Sequence, residues 1–299
     1  MSKTLIRPST EADAEVVVRL IHETFGDRPV LDPPATAMSE MVETVAPELA
    51  AHGGLLALRD GKVVGSVMFR PHGRLLGVRR VGVLEGARHH GVAFELARAA
   101  EAEAIHRGFR GLVLEARAEL PATVAFWLRQ GYVEVDRVGP QLRMIRPLPR
   151  TWTFDTSDDT QAWGERLGKR LREGDVVIMT GELGAGKTTL TQGIARGLGV
   201  RGPITSPTFV ISRVHPSLVG GPDLVHVDAY RLGDTAELDD LDLDTDLDTA
   251  VTIVEWGRGI AESLSEERLE ITLVSTPDES RTVTVTGVGR RWVDFVTQD

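Results

Sequence analysis

The 299-residue chain contains no cysteine. That excludes disulfides and thiolate metal sites, and it fits a reducing compartment. No apolar run approaches a membrane span, and the opening MSKTLIRPST holds no apolar core of signal-peptide length. A cytoplasmic protein with no membrane attachment is expected. Positive charge is scarce in the second half. Residues 1–150 hold 20 Lys and Arg against 18 Asp and Glu, a difference of +2; residues 151–299 hold 14 against 26, a difference of −12. A half with that excess of negative charge is poorly suited to wrapping nucleic acid by itself. What is present, 41% hydrophobic and 26% charged residues, is ordinary for a globular chain long enough for two domains.

The most informative stretch is 175–199, DVVIMTGELGAGKTTLTQGIARGLG. Val176 to Met179 predicts a short buried strand. The residues Gly181-Glu182-Leu183-Gly184-Ala185-Gly186-Lys187-Thr188 fit G-x-x-x-x-G-K-[ST] without mismatch. Leu190, Ile194 and Leu198 then recur every fourth residue, one face of a helix, with Gly199 at its end. Glycines let successive N–H groups turn inward on a phosphate, and the helix adds its unpaired first-turn amides and the positive end of its dipole. Lys187 is expected to reach the β- and γ-phosphates of a nucleotide, and the Thr188 hydroxyl to hold Mg²⁺. The plainer reading, a glycine-rich turn that binds nothing, does not account for the full pattern between a strand and a helix.

Two acids stand where such a loop needs them. Leu224–Val227 predicts a strand ending in Asp228, and Ala250–Val254 a strand ending in Glu255-Trp256-Gly257. Ligands of open parallel sheets sit beyond the carboxyl ends of strands. One acid is expected to hold Mg²⁺, directly or through water, and the other to orient an attacking water; the sequence leaves open which does which. The bland alternative is a pair of ordinary polar strand ends. Trp152–Phe154, 268–275 and 281–287 predict further strands, and about 159–171 a helix. The run 234–248 carries eight carboxylates around Leu238, Leu241, Leu243 and Leu247. It reads as an acidic solvated helix and loop with its leucines inward, or alternatively as a docking surface for a basic partner.

The first half follows a different plan. Leu5–Arg7 predicts a strand closed by Pro8, Thr10 an N-cap for a helix carrying Val17, Leu20 and Ile21, and about 36–50 a second helix. Leu55–Arg59 and Lys62–Phe69 predict strands joined by Asp60-Gly61, a hairpin signal. Leu75–Val83, 111–116, 132–137 and 141–146 predict strands, with helices through Ile105 and over 121–130. Residues 146–150, with Pro147 and Pro149, predict a stiff connector between domains 1–148 and 149–299.

This element order, with Arg88-x-x-Gly91-x-Ala93 and the segment from Phe126 to Tyr132 (FWLRQGY), resembles the GNAT family of acetyl-CoA-dependent N-acetyltransferases over nearly all of the first 146 residues. The resemblance implies a mixed α+β sheet domain. Physically, the loop is an anion cradle at a helix start. By resemblance, Val83, Arg88, His89, His90, Gly91, Val92 and Ala93 surround acetyl-CoA, with the two histidines offering backbone groups rather than catalysis. Trp127 occupies the seat of the family's usual tyrosine acid, and an indole N–H cannot give up a proton at neutral pH. The seat of an asparagine common in the family falls at Leu120. Glu85 is the candidate base, with a solvated loop carboxylate as the alternative. The acetyl acceptor is not named by the sequence.

In the second half GELGAGKTT, SPTF, HVDAYRL and VEWG, in that order, resemble the TsaE (YjeE) family, the ATPase subunit of the bacterial machinery for N6-threonylcarbamoyladenosine at position 37 of tRNAs. The resemblance implies an α/β P-loop domain over about 151–288. It implies ATP contacts from Gly184, Gly186, Lys187, Thr188 and Thr189, within a run from Glu182 through Thr189. Mg²⁺ positions fall at Thr188 and Glu255, and the acid needed for hydrolysis at Asp228. Ser206, Pro207 and Thr208 match a switch-like loop, Trp256 a tryptophan beside the nucleotide, and Ser157 and Arg281 lie near base or ribose positions. Implied partners are TsaB and TsaD, with tRNA reached through them. A small-molecule kinase is the rival for the second half, and a non-catalytic acetyl-CoA sensor or docking module for the first.

Overall fold

Runs of consecutive buried residues in the central strands of the first half, such as Gly54–Ala57, Gly65–Phe69 and Gly111–Leu114, belong to one seven-stranded sheet covered on both faces. The structure is a computed structural model that describes residues 3–26, 29, 31–32, 36–207, 211–232, 237–238 and 247–298. The chain divides into two compact units, Met1–Leu148 and Pro149–Thr297.

The first unit runs β1 (Leu5–Ser9), α1 (Ala14–Gly26), α2 (Val42–His52), β2 (Gly54–Arg59), β3 (Lys62–His72), β4 (Leu75–Val83), α3 (Val92–His106), β5 (Gly111–Arg117), α4 (Pro121–Arg129), β6 (Val133–Val138) and β7 (Gln141–Pro147). The strand order is β1-β2-β3-β4-β5-β7-β6. Val67, Phe69, Leu76, Leu112 and Met144 share a core with α3 and α4, while Leu56 and Met68 pack against α1 and α2. All neighbours are antiparallel except β4 and β5, which pair in parallel only over Leu75–Gly77 with Gly111–Val113. Beyond that they part, and the gap opens a cleft.

Local chemistry explains most boundaries. Asp60 and Gly61 take φ of +51° and +74°, the twist a two-residue hairpin prefers. Three expectations need correction. Pro8 does not close β1: it pairs with Leu55, because β1 is an edge strand and needs no donor on its open side. Residues 146–150 are not a free connector, since β7 continues to Pro147 opposite Gly111; β6 flanks β7 only as far as Ile145, so the proline again sits at an edge. The second helix starts at Val42, after a 3₁₀ turn over Thr36–Ser39.

The second unit runs β8 (Arg150–Phe154), α5 (Ser157–Gly168), β9 (Val176–Thr180), α6 (Lys187–Leu198), β10 (Ser212–His215), β11 (Asp223–Asp228), β12 (Ala250–Glu255), β13 (Arg268–Ser275), β14 (Arg281–Val288) and α7 (Val293–Gln298). The order is β10-β11-β12-β9-β13-β14-β8, with β11, β12, β9 and β13 parallel. Helix α5 begins at Ser157, not 159, because Thr156 and Asp159 cap each other reciprocally. It ends at Gly168 rather than 171. Helices α5 and α6 meet at glycines. A Cβ on Gly168 would lie 2.2 Å from the Ile194 carbonyl oxygen, and one on Gly197 would lie 2.3 Å from that of Glu165. That contact seats Leu190 and Ile194 in the sheet core and so fixes the helix start that follows the glycine-rich loop. Strand β10 escapes sequence patterning because it is a four-residue edge strand; α7 escapes because Trp292 and Phe295, which anchor its start in the core, show no longer periodicity. Thr208, Phe209, Val210 and most of 234–248 lie outside the described residues.

Candidate functional site

The parallel register sets Asp228 beside Glu255, and Glu255 beside Met179 at the end of β9. Side chains two residues apart share a face. Leu224, His226 and Asp228 therefore point the same way, as do Val251, Ile253 and Glu255, toward the core that α6 completes. Both acids are buried.

Glu255 is held from three sides. Thr188 Oγ1 donates to Oε2 at 3.2 Å, Thr191 Oγ1 lies 3.3 Å from Oε1, and His226 Nε2 lies 2.9 Å from Oε1. Asp228 accepts from Ser206 Oγ at 2.8 Å and from the Tyr230 amide at 3.0 Å. His226 and Thr191 were not singled out from sequence. Their signal was spacing: His226 stands two residues before Asp228 on a strand, and Thr191 one helical turn after Thr188.

The loop from Gly181 to Gly186 has the geometry of an anion cradle. Gly184 and Gly186 take φ of +80° and +101°, and their amides have no backbone acceptor among the described residues. The amides of Lys187, Thr188 and Thr189 are the unpaired first turn of α6. Leu183, at 91% exposure, stands at the tip, so the loop there offers backbone rather than side chain. Lys187 Nζ donates to the Gly181 and Glu182 carbonyls at 2.7 and 3.0 Å and stands 3.8 Å from the centre of the Trp256 ring. Burial pushes the lysine below its usual pKa, against the pull of Glu255 and Asp228. Trp256 takes φ of +63°, a conformation unfavourable for a bulky residue and typical of functional sites. Gly257 follows because a Cβ there would meet Val254 at 2.8 Å.

The structure thus gathers Lys187, Thr188, Asp228, Glu255 and Trp256. Arg281 also approaches, its Nε 3.8 Å from where a Cβ on Gly186 would sit. Ser157 is an exposed first-turn residue of α5 and makes no hydrogen bond to the loop among the described residues. The Thr188 hydroxyl and the Glu255 carboxylate are hard oxygen donors, a sparse set that suits Mg²⁺, which keeps waters and phosphate oxygens for its remaining positions.

In the first unit a cleft of about 940 Å³ lies where β4 and β5 part, lined by Val83, Arg88, Ala93, Glu115, Trp127 and Arg143 among others. Gly91, at φ +78°, opens α3 with free space where a side chain would stand. Arg88 donates to the Val83 carbonyl at 3.2 Å, and the His90 ring is bonded to the Arg88 carbonyl at 2.7 Å. His89 is exposed, and the Val92 side chain is core. Trp127 is buried edge-to-face against Phe126 and Tyr132. Leu120 lines the cleft with no polar group.

Glu85 is not brought to the cleft. It lies exposed in a 3₁₀ turn, Glu85–Ala87, and is not among the residues lining the cleft. Glu115, though solvent-exposed, lines the cleft instead, and partial desolvation there pushes its carboxyl above the usual range against the pull of Arg143. It is the one acid in the apolar strand GLVLEA, at the alternate position that faces away from the α3 core.

Residues 154–283 match the family model for the threonylcarbamoyl adenosine biosynthesis protein TsaE. The tRNA threonylcarbamoyladenosine biosynthesis protein TsaE of Streptomyces coelicolor is 61% identical over 134 residues, 43% of this chain and 90% of that protein. The chain belongs to the TsaE family. The Bacillus subtilis TsaE is 39% identical over 142 residues, 47% of this chain and 87% of its own. Residues 20–132 match the acetyltransferase (GNAT) family model, so the TsaE half is fused to a GNAT half. Among solved structures, Bacillus subtilis YdiB covers 50% of this chain and 92% of its own at 33% identity and a TM-score of 0.42. The PaiA N-acetyltransferase of Thermoplasma acidophilum in complex with coenzyme A covers 48% and 99% at 15% identity and a TM-score of 0.44.

Proposed function

We propose that the TsaE half hydrolyses ATP to ADP and phosphate in the formation of threonylcarbamoyladenosine at position 37 of tRNA, alongside TsaB and TsaD. The carrying observation is the 3.2 Å contact of Glu255 with Thr188 beside a complete phosphate loop. Loop and first-turn amides receive the phosphates. Lys187 exchanges the carbonyls of Gly181 and Glu182 for phosphate oxygens and neutralises charge that grows as the γ-phosphoryl departs. Thr188 and Glu255 would hold Mg²⁺, which supplies further charge neutralisation when bound. Asp228, fixed by Ser206 and the Tyr230 amide, is the acid left to orient water. The negative balance of this half fits a tRNA held by partners. Phosphate release from ATP by the wild-type protein, lost in Lys187→Ala, tests the reading. A phosphorylated acceptor formed with ADP and no free phosphate would replace it with the kinase reading.

For the GNAT half we infer acetyl transfer from acetyl-CoA to an amine. Gly91 and the first turn of α3 form the cradle for the pyrophosphate. Glu115 is placed to take a proton from the acceptor, while Trp127 supplies shape and no proton. Calorimetry with acetyl-CoA and an acetylation assay test it; binding without transfer to any amine would favour the sensor or docking reading.

A further inference from the structure

The first-unit sheet has a second face, away from α3 and α4. Alternate positions of β3, β4, β5 and β7 bring Arg70, His72, Arg79, Glu115 and Arg143 onto it, all lining the cleft. A Cβ on Gly77 would lie 2.8 Å from the His72 ring, so that ring lies across β4 toward β5. The band is basic, but most of its cations are already answered. Arg79 pairs with Glu48 at 2.8 Å, and Arg70 approaches the same carboxylate at 3.7 Å.

Arg143 differs. It stands directly across from Glu115 on one side and Asp136 on the other. It makes no close ion pair with either among the described residues, although its charge favours the Glu115 carboxylate across the strand, and its side chain lines the cleft. Its field is felt nearby: burial lowers the pKa of His72, and Arg143, Arg70 and Arg79 lower it further. The phosphates of acetyl-CoA do not account for this arginine, because the cradle at Gly91 opens α3, which packs on the opposite face. From β3 to β7 the band crosses three strand intervals, about 14 Å at ordinary spacing. An extended chain covers that with about four residues, and a free amino acid falls well short.

We propose that the acetyl acceptor is the N-terminal segment of an acidic polypeptide, laid across β4, β5 and β7, with Arg143 pairing to a carboxylate among its first residues and Glu115 beside its amine. This rests on the acetyltransferase reading above. The amine nitrogen forms a bond to the thioester carbonyl carbon, and the carbon–sulfur bond breaks. Of the two protons the ammonium loses, one passes through Glu115 to solvent and the other ends on the sulfur of coenzyme A.

The test uses the full chain. Acetyl-CoA affinity is measured first by calorimetry; its absence would sink the acetyltransferase reading itself. With acetyl-CoA bound, kcat/KM and the Kd of CoA-loaded protein are compared for six-residue peptides beginning Ser-Asp-Glu or Ser-Lys-Arg, and for free serine. The acidic peptide should be favoured on the order of tenfold over the basic one. Arg143→Gln should erase that preference and Arg143→Glu reverse it, both with unchanged acetyl-CoA affinity, while Arg143→Lys keeps it. Equal or better use of the basic peptide, free serine as good a substrate as either peptide, a preference indifferent to Arg143, or acetyl-CoA bound with no peptide binding would each overturn the proposal.

Discussion

His226 Nε2 stands 2.9 Å from Glu255 Oε1, and both side chains are buried. One carboxylate oxygen is thereby fixed by the imidazole, with the Thr191 hydroxyl shared between it and the Lys187 carbonyl, which leaves Oε2 facing the Thr188 hydroxyl. A buried carboxylate costs stability unless its oxygens are paired, and an oriented one makes a better ligand. His226→Leu removes the donor, so it should lower stability by about 1–3 kcal/mol and slow ATP turnover on the order of tenfold or more. His226→Gln, whose amide reaches a similar place, should recover most of the turnover. Denaturant midpoints and phosphate release check both; a leucine variant equal to wild type would remove the histidine from the account.

Lys187 holds two carbonyls and covers the Trp256 ring. Replacing it with alanine should reduce ATP turnover by roughly 10²–10³, and because the side chain is buried and leaves two carbonyls without their donor it should also cost about 1–3 kcal/mol of stability. Trp256 emission, isolated against a Trp256→Phe control, should respond to ATP in the wild type and respond less in the alanine variant.

The glycine contact between α5 and α6 leaves no space for a methyl group. Gly168→Ala and Gly197→Ala each drive a Cβ to within about 2.3 Å of a backbone oxygen, and should cost about 1–3 kcal/mol. Because α6 begins at the phosphate loop, nucleotide affinity should fall with stability. Urea unfolding and ATP titration measure the two losses.

Asp13 accepts from Arg7 at 2.6 and 3.0 Å and from the Thr10 amide at 2.9 Å. The Arg7 guanidinium, and after it the Thr10 amide, hold its carboxyl at about 2, below the ordinary 3.8. A depressed carboxyl adds stability that is complete above the unfolded value and is lost as pH falls through the folded one. Asp13→Asn should therefore be less stable near pH 6, by about 1 kcal/mol or less since Arg7 is partly exposed. The difference should shrink between pH 4 and about 2. Unfolding midpoints of both proteins across that range are the measurement.

Glu115 and Glu85 separate two accounts of the GNAT half. A base works when deprotonated, and partial desolvation raises the Glu115 carboxyl. The acid limb of the acetylation profile should lie above the ordinary glutamate range in the wild type. It should disappear, with kcat reduced roughly 10²-fold or more, in Glu115→Gln. Glu85→Gln should leave both rate and profile unchanged, since Glu85 is not among the residues lining the cleft.

Much of this molecule is local, and what is local can be read along the chain. The phosphate loop is a pattern of eight consecutive residues between a strand and a helix, so its conformation follows from glycine placement and the helix start. The hairpin at Asp60-Gly61 and the acids closing β11 and β12 are equally local. Prolines misled where the chemistry was not local: Pro8 and Pro147 are compatible with strands because both lie at edges, and edges are defined by strand order.

The remaining assignments needed residues far apart in sequence to meet. Which acid would stand beside Thr188 depended on the register of β12 against β9, and the imidazole that fixes it came from the neighbouring strand, 29 residues away. That Glu115 and not Glu85 lines the cleft followed from where β4 leaves β5 and from which face of β5 looks into the gap. Composition and spacing determined what chemistry each half contains. Strand order and register, set by the burial of two sheet faces at once, decided which side chains share it.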